Sequence, residues 1–205
     1  MSFFHGANAP ARWLATWAML AGLLAGCSPT GDNTAAAFKG MDITGANYGQ
    51  NLRLDDFNGR ERTLADFKGQ AVLLYFGFVQ CPDVCPTALT RAVEVKRLLG
   101  NQGERLQVIF VTVDPERDDP AMLKEYMAAF DPTFLALQGD AQRTRETADH
   151  FKVYYKKIPT GSSYTMDHSA MSYLFDPQGH LRLVMRHEQT AQDYAHDIAL
   201  LLKAP

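Results

Sequence analysis

Two stretches of the chain are apolar at almost every position, residues 71–79 (AVLLYFGFV) and 106–113 (LQVIFVTV). Runs this short, rich in β-branched and aromatic side chains, predict strands covered on both faces. Between them, Val84-Cys85-Pro86-Thr87 opens a helix with proline in its first turn, where the missing N–H costs nothing. Leu89, Val93, Val95, Leu98 and Leu99 then recur at near-helical spacing and predict its buried stripe, closed by Gly100. Asp118-Asp119-Pro120 predicts the cap of a second helix reaching about Phe130. A short strand over 134–137 and a helix over 144–151 follow. Val153-Tyr154-Tyr155 starts another strand, whereas 158–165 (IPTGSSYT) reads as a loop. Residues 170–175 and 181–185 form strands joined by the turn Asp176-Pro177-Gln178-Gly179. Thr190 begins a last helix with Tyr194, Ile198, Leu201 and Leu202 on one face. Upstream, the alternation Leu52-Arg53-Leu54, the turn signal Asn58-Gly59 and the return over 63–67 predict a β-hairpin.

This order predicts an α/β fold in which a central mixed β-sheet is flanked by helices. It is similar to the thioredoxin-like fold, with two additions: the N-terminal β-hairpin and an insertion over 141–169 before the last β-hairpin. The first 26 residues stand apart. They carry a single charge, Arg12, and a twelve-residue run over 13–24 (WLATWAMLAGLL) whose only polar side chain is Thr16. A bilayer span needs about 20 apolar residues, so the run has the length of a signal-peptide core instead. Leu24-Ala25-Gly26-Cys27 resembles a bacterial lipobox, in which Cys27 is lipidated and becomes the mature N-terminus. The alternative is an uncleaved anchor, and either way the remainder is exported. The expected organisation is a lipoprotein signal peptide over 1–26, a lipidated N-terminus and flexible tether over 27–44, and the folded domain over 45–205. The expected location is the periplasmic face of the cytoplasmic membrane.

Composition narrows the function classes. Hydrophobic residues make up 46% and charged residues 21%, which excludes a disordered, collagen-like or polytopic membrane chain. Twenty Lys and Arg against 23 Asp and Glu give a net charge of −3, with no electrostatic footprint for nucleic acid. Of three cysteines, Cys27 is taken by the lipobox, leaving Cys81 and Cys85 where a buried strand runs into a helix. Helix N-termini stabilise thiolates. The C-x-x-x-C spacing suits either a two-thiolate clamp for a soft ion such as Cu(I), with Zn(II) as competitor, or a reversible disulfide. A permanent staple closing so short a loop would constrain the unfolded chain little.

The motif Phe76-Gly77-Phe78 with Cys81-Pro82-Asp83-Val84-Cys85-Pro86-Thr87 resembles that of the Sco/SenC family of copper proteins. Val113-Asp114-Pro115-Glu116-Arg117-Asp118 and Asp167-His168-Ser169-Ala170 with Tyr173-Leu174 and Asp176-Pro177 are similar to its second and third blocks. The resemblance implies a thioredoxin-like, membrane-tethered protein. Such a protein binds one copper ion and helps to assemble the dinuclear copper centre of cytochrome c oxidase. Its implied partners are the oxidase subunit carrying that centre and a periplasmic copper donor. It implies Cys81, Cys85 and His168 as copper ligands, with Cys81 and Cys85 also a disulfide pair. Asp114 is a candidate for orienting a ligand or capping a turn, and Asp83 for starting the helix or modulating the thiolates. Gln80 stands where many members have His, so an auxiliary ligand is missing. Met166 and Met171 flank His168 and read as packing; His5, His150, His180, His187 and His196 read as surface residues. Two other readings stay open. One is a thiol–disulfide oxidoreductase working through Cys81 and Cys85. The other is a peroxiredoxin-type peroxidase, which needs an activating Thr and Arg that residues 82–87 do not supply.

Overall fold

A computed structural model of the protein describes residues 38–203. Ten strands and four α-helices alternate: β1 (Met41–Asp42), β2 (Arg53–Asp56), β3 (Glu61–Thr63), β4 (Ala71–Gly77), α1 (Val84–Leu99), β5 (Leu106–Thr112), α2 (Pro120–Ala128), β6 (Leu135–Gln138), α3 (Ala141–His150), β7 (Tyr155–Thr160), β8 (Ser163–His168), β9 (Ser172–Phe175), β10 (Leu181–Met185) and α4 (Ala191–Leu201). Eight strands form one mixed sheet in the order β1-β10-β9-β4-β5-β6-β2-β3. The expected thioredoxin-like arrangement is therefore present. The two apolar runs, β4 and β5, lie parallel at its centre, Ala71 beside Leu106 through Gly77 beside Thr112. All seven residues of β4 are buried, as strands covered by helices on both faces require. Among the described residues, no helix is long and apolar enough to cross a membrane.

This topology brings three chain segments to one edge of the sheet. Parallel β4 and β5 end side by side, tied by Val113 N–H to the Gly77 carbonyl at 2.8 Å. Strand β9 runs antiparallel to β4, with Tyr75 opposite Ser172, so its beginning lies at the same edge. The 78–85 loop, the 113–118 loop and the 168–171 connection thus converge at the carboxyl ends of the parallel strands, where open α/β sheets build sites.

Four details depart from the sequence reading. Residues 158–165 are not a loop: β7 and β8 pair in unbroken antiparallel register from Tyr155–His168 to Thr160–Ser163, as a separate two-stranded sheet. Of their side chains only Met166 is fully buried and most of β7 is exposed, which hides the usual apolar alternation, and Pro159 is tolerated because both strands are edges. The signal overlooked is the two-residue connection Gly161-Ser162, with Gly161 at φ +62°. Second, the folded domain starts before residue 45. Strand β1 pairs with β10, and the Lys39 and Gly40 N–H groups donate to the carboxylate of Asp197, buried on α4, at 2.9 and 2.7 Å. Third, the added N-terminal hairpin, which the sequence left unplaced, extends the main sheet through pairing of β2 with β6. Fourth, α1 buries Cys85, Leu89, Ala92 and Val95, while Leu98 is 39% exposed. The stripe turns on Ala92, whose small side chain gave little signal.

Candidate metal centre

The site begins with a glycine. A Cβ on Gly77 would come within 2.7 Å of Cys85 Sγ and of the Phe110 ring, so only glycine leaves the last residue of β4 close enough to shelter the Cys85 thiol. The chain then turns through Phe78, whose carbonyl accepts from Cys81 N–H at 3.2 Å. It enters α1 at Val84. In that first turn the Cys85 N–H points at Cys81 Sγ, 3.4 Å away. Cys85 is completely buried and Cys81 is 9% exposed; both are free thiols.

The two sulfurs are electrostatically unequal. A hydrogen bond from the Cys85 thiol outweighs burial and, with His168 and the backbone N–H groups of Asp83 and Cys85, pulls Cys81 down to about 4. Cys85 moves the opposite way: bonding to Cys81, then burial, then repulsion from Cys81 hold its proton far above the ordinary thiol range. At neutral pH the pair is one thiolate and one thiol sharing a proton.

His168 arrives at the end of β8. Its Nδ1 lies 3.0 Å from the Ser169 carbonyl, and its Nε2 lies 3.5 Å from Cys85 Sγ. A carbonyl only accepts, so this contact holds a proton on Nδ1 and turns Nε2 toward the sulfurs. Edge-on contacts with Phe78 (5.7 Å between centroids) and Tyr75 (6.1 Å) fix the ring. The Tyr75 hydroxyl is buried without a side-chain or backbone partner, and that burial, the largest influence, disfavours its ionisation. One ligand atom each from Cys81, Cys85 and His168 lies within 4.8 Å of the others, the only such group of three or more His, Cys, Asp or Glu among the described residues. Two sulfurs and an imidazole form a donor set that fits a soft or borderline ion, and the half-buried His168 leaves an open side.

Asp114 does not touch this group. It is 1% exposed; Oδ2 accepts from Arg117 Nε at 2.5 Å and Oδ1 from the Tyr164 hydroxyl of β8 at 2.8 Å. Its carbonyl closes the turn to Arg117 and Asp118. Sequence reasoning passed over its partners Arg117 and Tyr164, which are 47 residues apart and share no local pattern. Asp118, read from sequence as part of the α2 cap that Asp119 alone provides, is fully buried and accepts from Val79 N–H at 3.0 Å and the Thr112 hydroxyl at 2.6 Å. That carboxylate ties the 78–85 loop to the end of β5. Burial, its largest influence, raises the Asp118 pKa. Asp83 is exposed and gives α1 no side-chain cap. Met166 is buried and Met171 is 44% exposed. His150, His180 and His196 are exposed and His187 is half-buried. Cys27 and His5 lie outside the described residues.

The SCO1/SenC family profile matches residues 41–203, nearly the whole described domain. The chain belongs to the SCO1/SenC family. It is similar to the SCO2-like protein of Rickettsia felis, 38% identical over 134 residues, covering 64% of this chain and 65% of that protein. Among solved structures it is similar to Bradyrhizobium japonicum ScoI with copper bound, at 37% identity and TM-score 0.66, covering 80% of this chain and 98% of the other. Yeast Sco1 with copper bound gives 30% identity and TM-score 0.68, covering 82% and 91%. The matched part spans slightly less than two thirds of the Rickettsia protein's length.

Proposed function

We propose that this SCO1/SenC protein takes up one copper ion at Cys81, Cys85 and His168 and passes it to thiolates of an acceptor protein. The observation that carries the reading is the convergence of two sulfurs and an imidazole nitrogen within 4.8 Å on an open edge of the sheet. The copper-bound relatives support copper as the cargo. The Cys81 thiolate is ready to bind, and binding releases the proton held by Cys85. Transfer by ligand exchange follows from a low coordination number, because an incoming thiolate can bind before the donor lets go. No substrate is chemically turned over, so the protein acts as a chaperone rather than an enzyme. The family resemblance supports the copper-carrying subunit of cytochrome c oxidase as acceptor, supplied by a periplasmic donor. The lipobox-like residues 24–27 support anchoring through lipidated Cys27 at the cytoplasmic membrane.

The test is titration of the full-length reduced chain with Cu(I) and Cu(II) beside His168→Ala. One copper per chain is expected, with thiolate-to-Cu(II) charge transfer that His168→Ala weakens. Absence of stoichiometric binding overturns the proposal. One observation favours a second reading: a low-pKa thiolate beside a buried thiol is the pairing a disulfide reductant uses. Cys81 would attack an acceptor disulfide, releasing one acceptor thiolate. Cys85 would then resolve the mixed bond, leaving a Cys81–Cys85 disulfide and a reduced acceptor. That chemistry needs no His168. Full cellular function in His168→Ala would make it primary.

A further inference from the structure

The second sequence block, residues 113–118, supplies no atom to the metal group, yet it is tied to both halves of it. Arg117 is the centre. Nε donates to Asp114 Oδ2 at 2.5 Å, and Nη1 donates to the Gln80 side-chain carbonyl at 3.1 Å and to the Tyr164 backbone carbonyl at 2.8 Å. Its guanidinium carbon stacks 3.7 Å over the Tyr164 ring, whose hydroxyl returns to Asp114. Gln80 immediately precedes Cys81. Tyr164 lies on β8 four residues before His168, and the period-two pleat puts Tyr164, Met166 and His168 on one face.

The β7–β8 hairpin is otherwise seated by Met166 in the core, by Tyr155 and Tyr164 packed against it, and by the ring contacts of His168. It forms its own two-stranded sheet, with no ladder to the eight-stranded one. A cavity of about 480 Å³ bordered by Asp114, Arg145, Tyr155, Lys157 and Met166 opens beside these contacts. The Lys157–Glu116 ion pair is largely exposed, and such pairs contribute little. By contrast, Asp114 is buried and Arg117 only 17% exposed in its side chain, so their pairing is screened far less.

We infer that Arg117 is a positioning residue for His168: it clamps β8 against the Cys81 loop and so sets the distance between the imidazole and the two sulfurs. This rests on the proposed copper site. Lysine can keep the charge beside Asp114 but cannot reproduce the guanidinium fork that reaches Gln80 and Tyr164 together. Arg117→Lys should therefore fold, bind Cu(I) through its cysteines within about threefold of the parent, and lose Cu(II) affinity about 10- to 100-fold, the usual effect of removing a group that orients a ligand. Its Cu(II) resonance should lose the nitrogen coupling of a well-placed imidazole.

The decisive experiment is a double-mutant cycle on the full-length chain with Arg117→Lys, His168→Ala and both. If Arg117 acts through His168, the double variant binds Cu(II) no more weakly than His168→Ala alone. Additive losses, or an Arg117→Lys variant with parental Cu(II) affinity and spectrum, overturn the inference. Should Arg117→Lys not fold, Tyr164→Phe enters the same cycle, removing only the hydroxyl bond to Asp114, with the same two outcomes read. Failure of the copper-site proposal looks different, because the parent chain itself would then bind no stoichiometric copper.

Discussion

Replacing Gly77 by alanine tests how the fold makes room for the site. The new Cβ would sit 2.7 Å from Cys85 Sγ and from Phe110 Cε2, and 3.0 Å from Cζ. Ordinary contact begins at 3.4 Å, so the sulfur, the ring or the strand must give by about 0.7 Å. Cys85 and Phe110 are both 0% exposed, which leaves no free direction. Overpacking of this kind costs about 1–3 kcal/mol, and for a domain of this size each kcal/mol lowers Tm by about 2–4 °C. The consequence for binding should be larger. Metal–ligand distances tolerate only about 0.2 Å, so a displaced Cys85 Sγ should weaken copper affinity at least about tenfold. Thermal unfolding of the apoprotein and competition titration with Cu(I) measure the two effects separately. Trimming the ring with Phe110→Leu should recover much of the Tm and little of the affinity, because the sulfur contact remains. Gly77→Ala with parental Tm and parental affinity would refute the argument that this position must lack a side chain.

Two further outcomes follow from the geometry. Alkylation of the reduced protein by iodoacetamide should titrate one thiol near pH 4 and run flat through neutrality; Cys85→Ala should move that titration up toward the ordinary thiol range, since the Cys85 hydrogen bond is the first cause of the shift. By linkage, a depressed folded pKa makes the thiolate's contribution to stability fullest above the unfolded value of 9.0, and it declines as pH falls toward 4. A thiol that titrates only near 9 in the parent would overturn the inequality between the sulfurs. Separately, Asp197→Ala should leave the Lys39 and Gly40 N–H groups unpaired, cost about 1.5–3 kcal/mol and detach β1, measurable as a lowered Tm and faster amide exchange at Met41 and Ile43. Unchanged exchange there would show that β1 is held by its ladder to β10 alone.

The legible parts of the sequence were those in which a local pattern carries the physics. Strands β4 and β5 announce themselves because both faces are covered. Asp119 and Thr190 announce helix starts because each caps with its own side chain, at Met122 and Asp193. The cysteines and His168 stood out through motif resemblance, and the fold brings them together. The illegible parts rest on pairings between distant residues or on exposed surfaces. The β7–β8 hairpin that delivers His168 has almost no buried face to imprint alternation on its residues. Asp114 looked like a ligand-orienting group or a turn residue; only the structure shows its carboxylate spent on Arg117 and Tyr164. Gln80 looked like a missing ligand, and in space it is the acceptor that links the cysteine loop to Arg117. Residues 38–44 read as tether because the anchor, Asp197, lies some 150 residues downstream.

The separateness of the β7–β8 sheet gives the cargo a mechanical meaning. Cys85 and His168 are 83 residues apart in the chain. An ion bonded to both would be a removable cross-link between the loop that leaves the main sheet and the separate two-stranded ribbon. Because the ligands come together only in the folded chain, such an ion stabilises the fold through its binding free energy. Loading would add one more tie between ribbon and sheet, and release of the ion would remove it. The structural consequence of the ion would thus be felt at the seam between ribbon and sheet, not only at the three ligands.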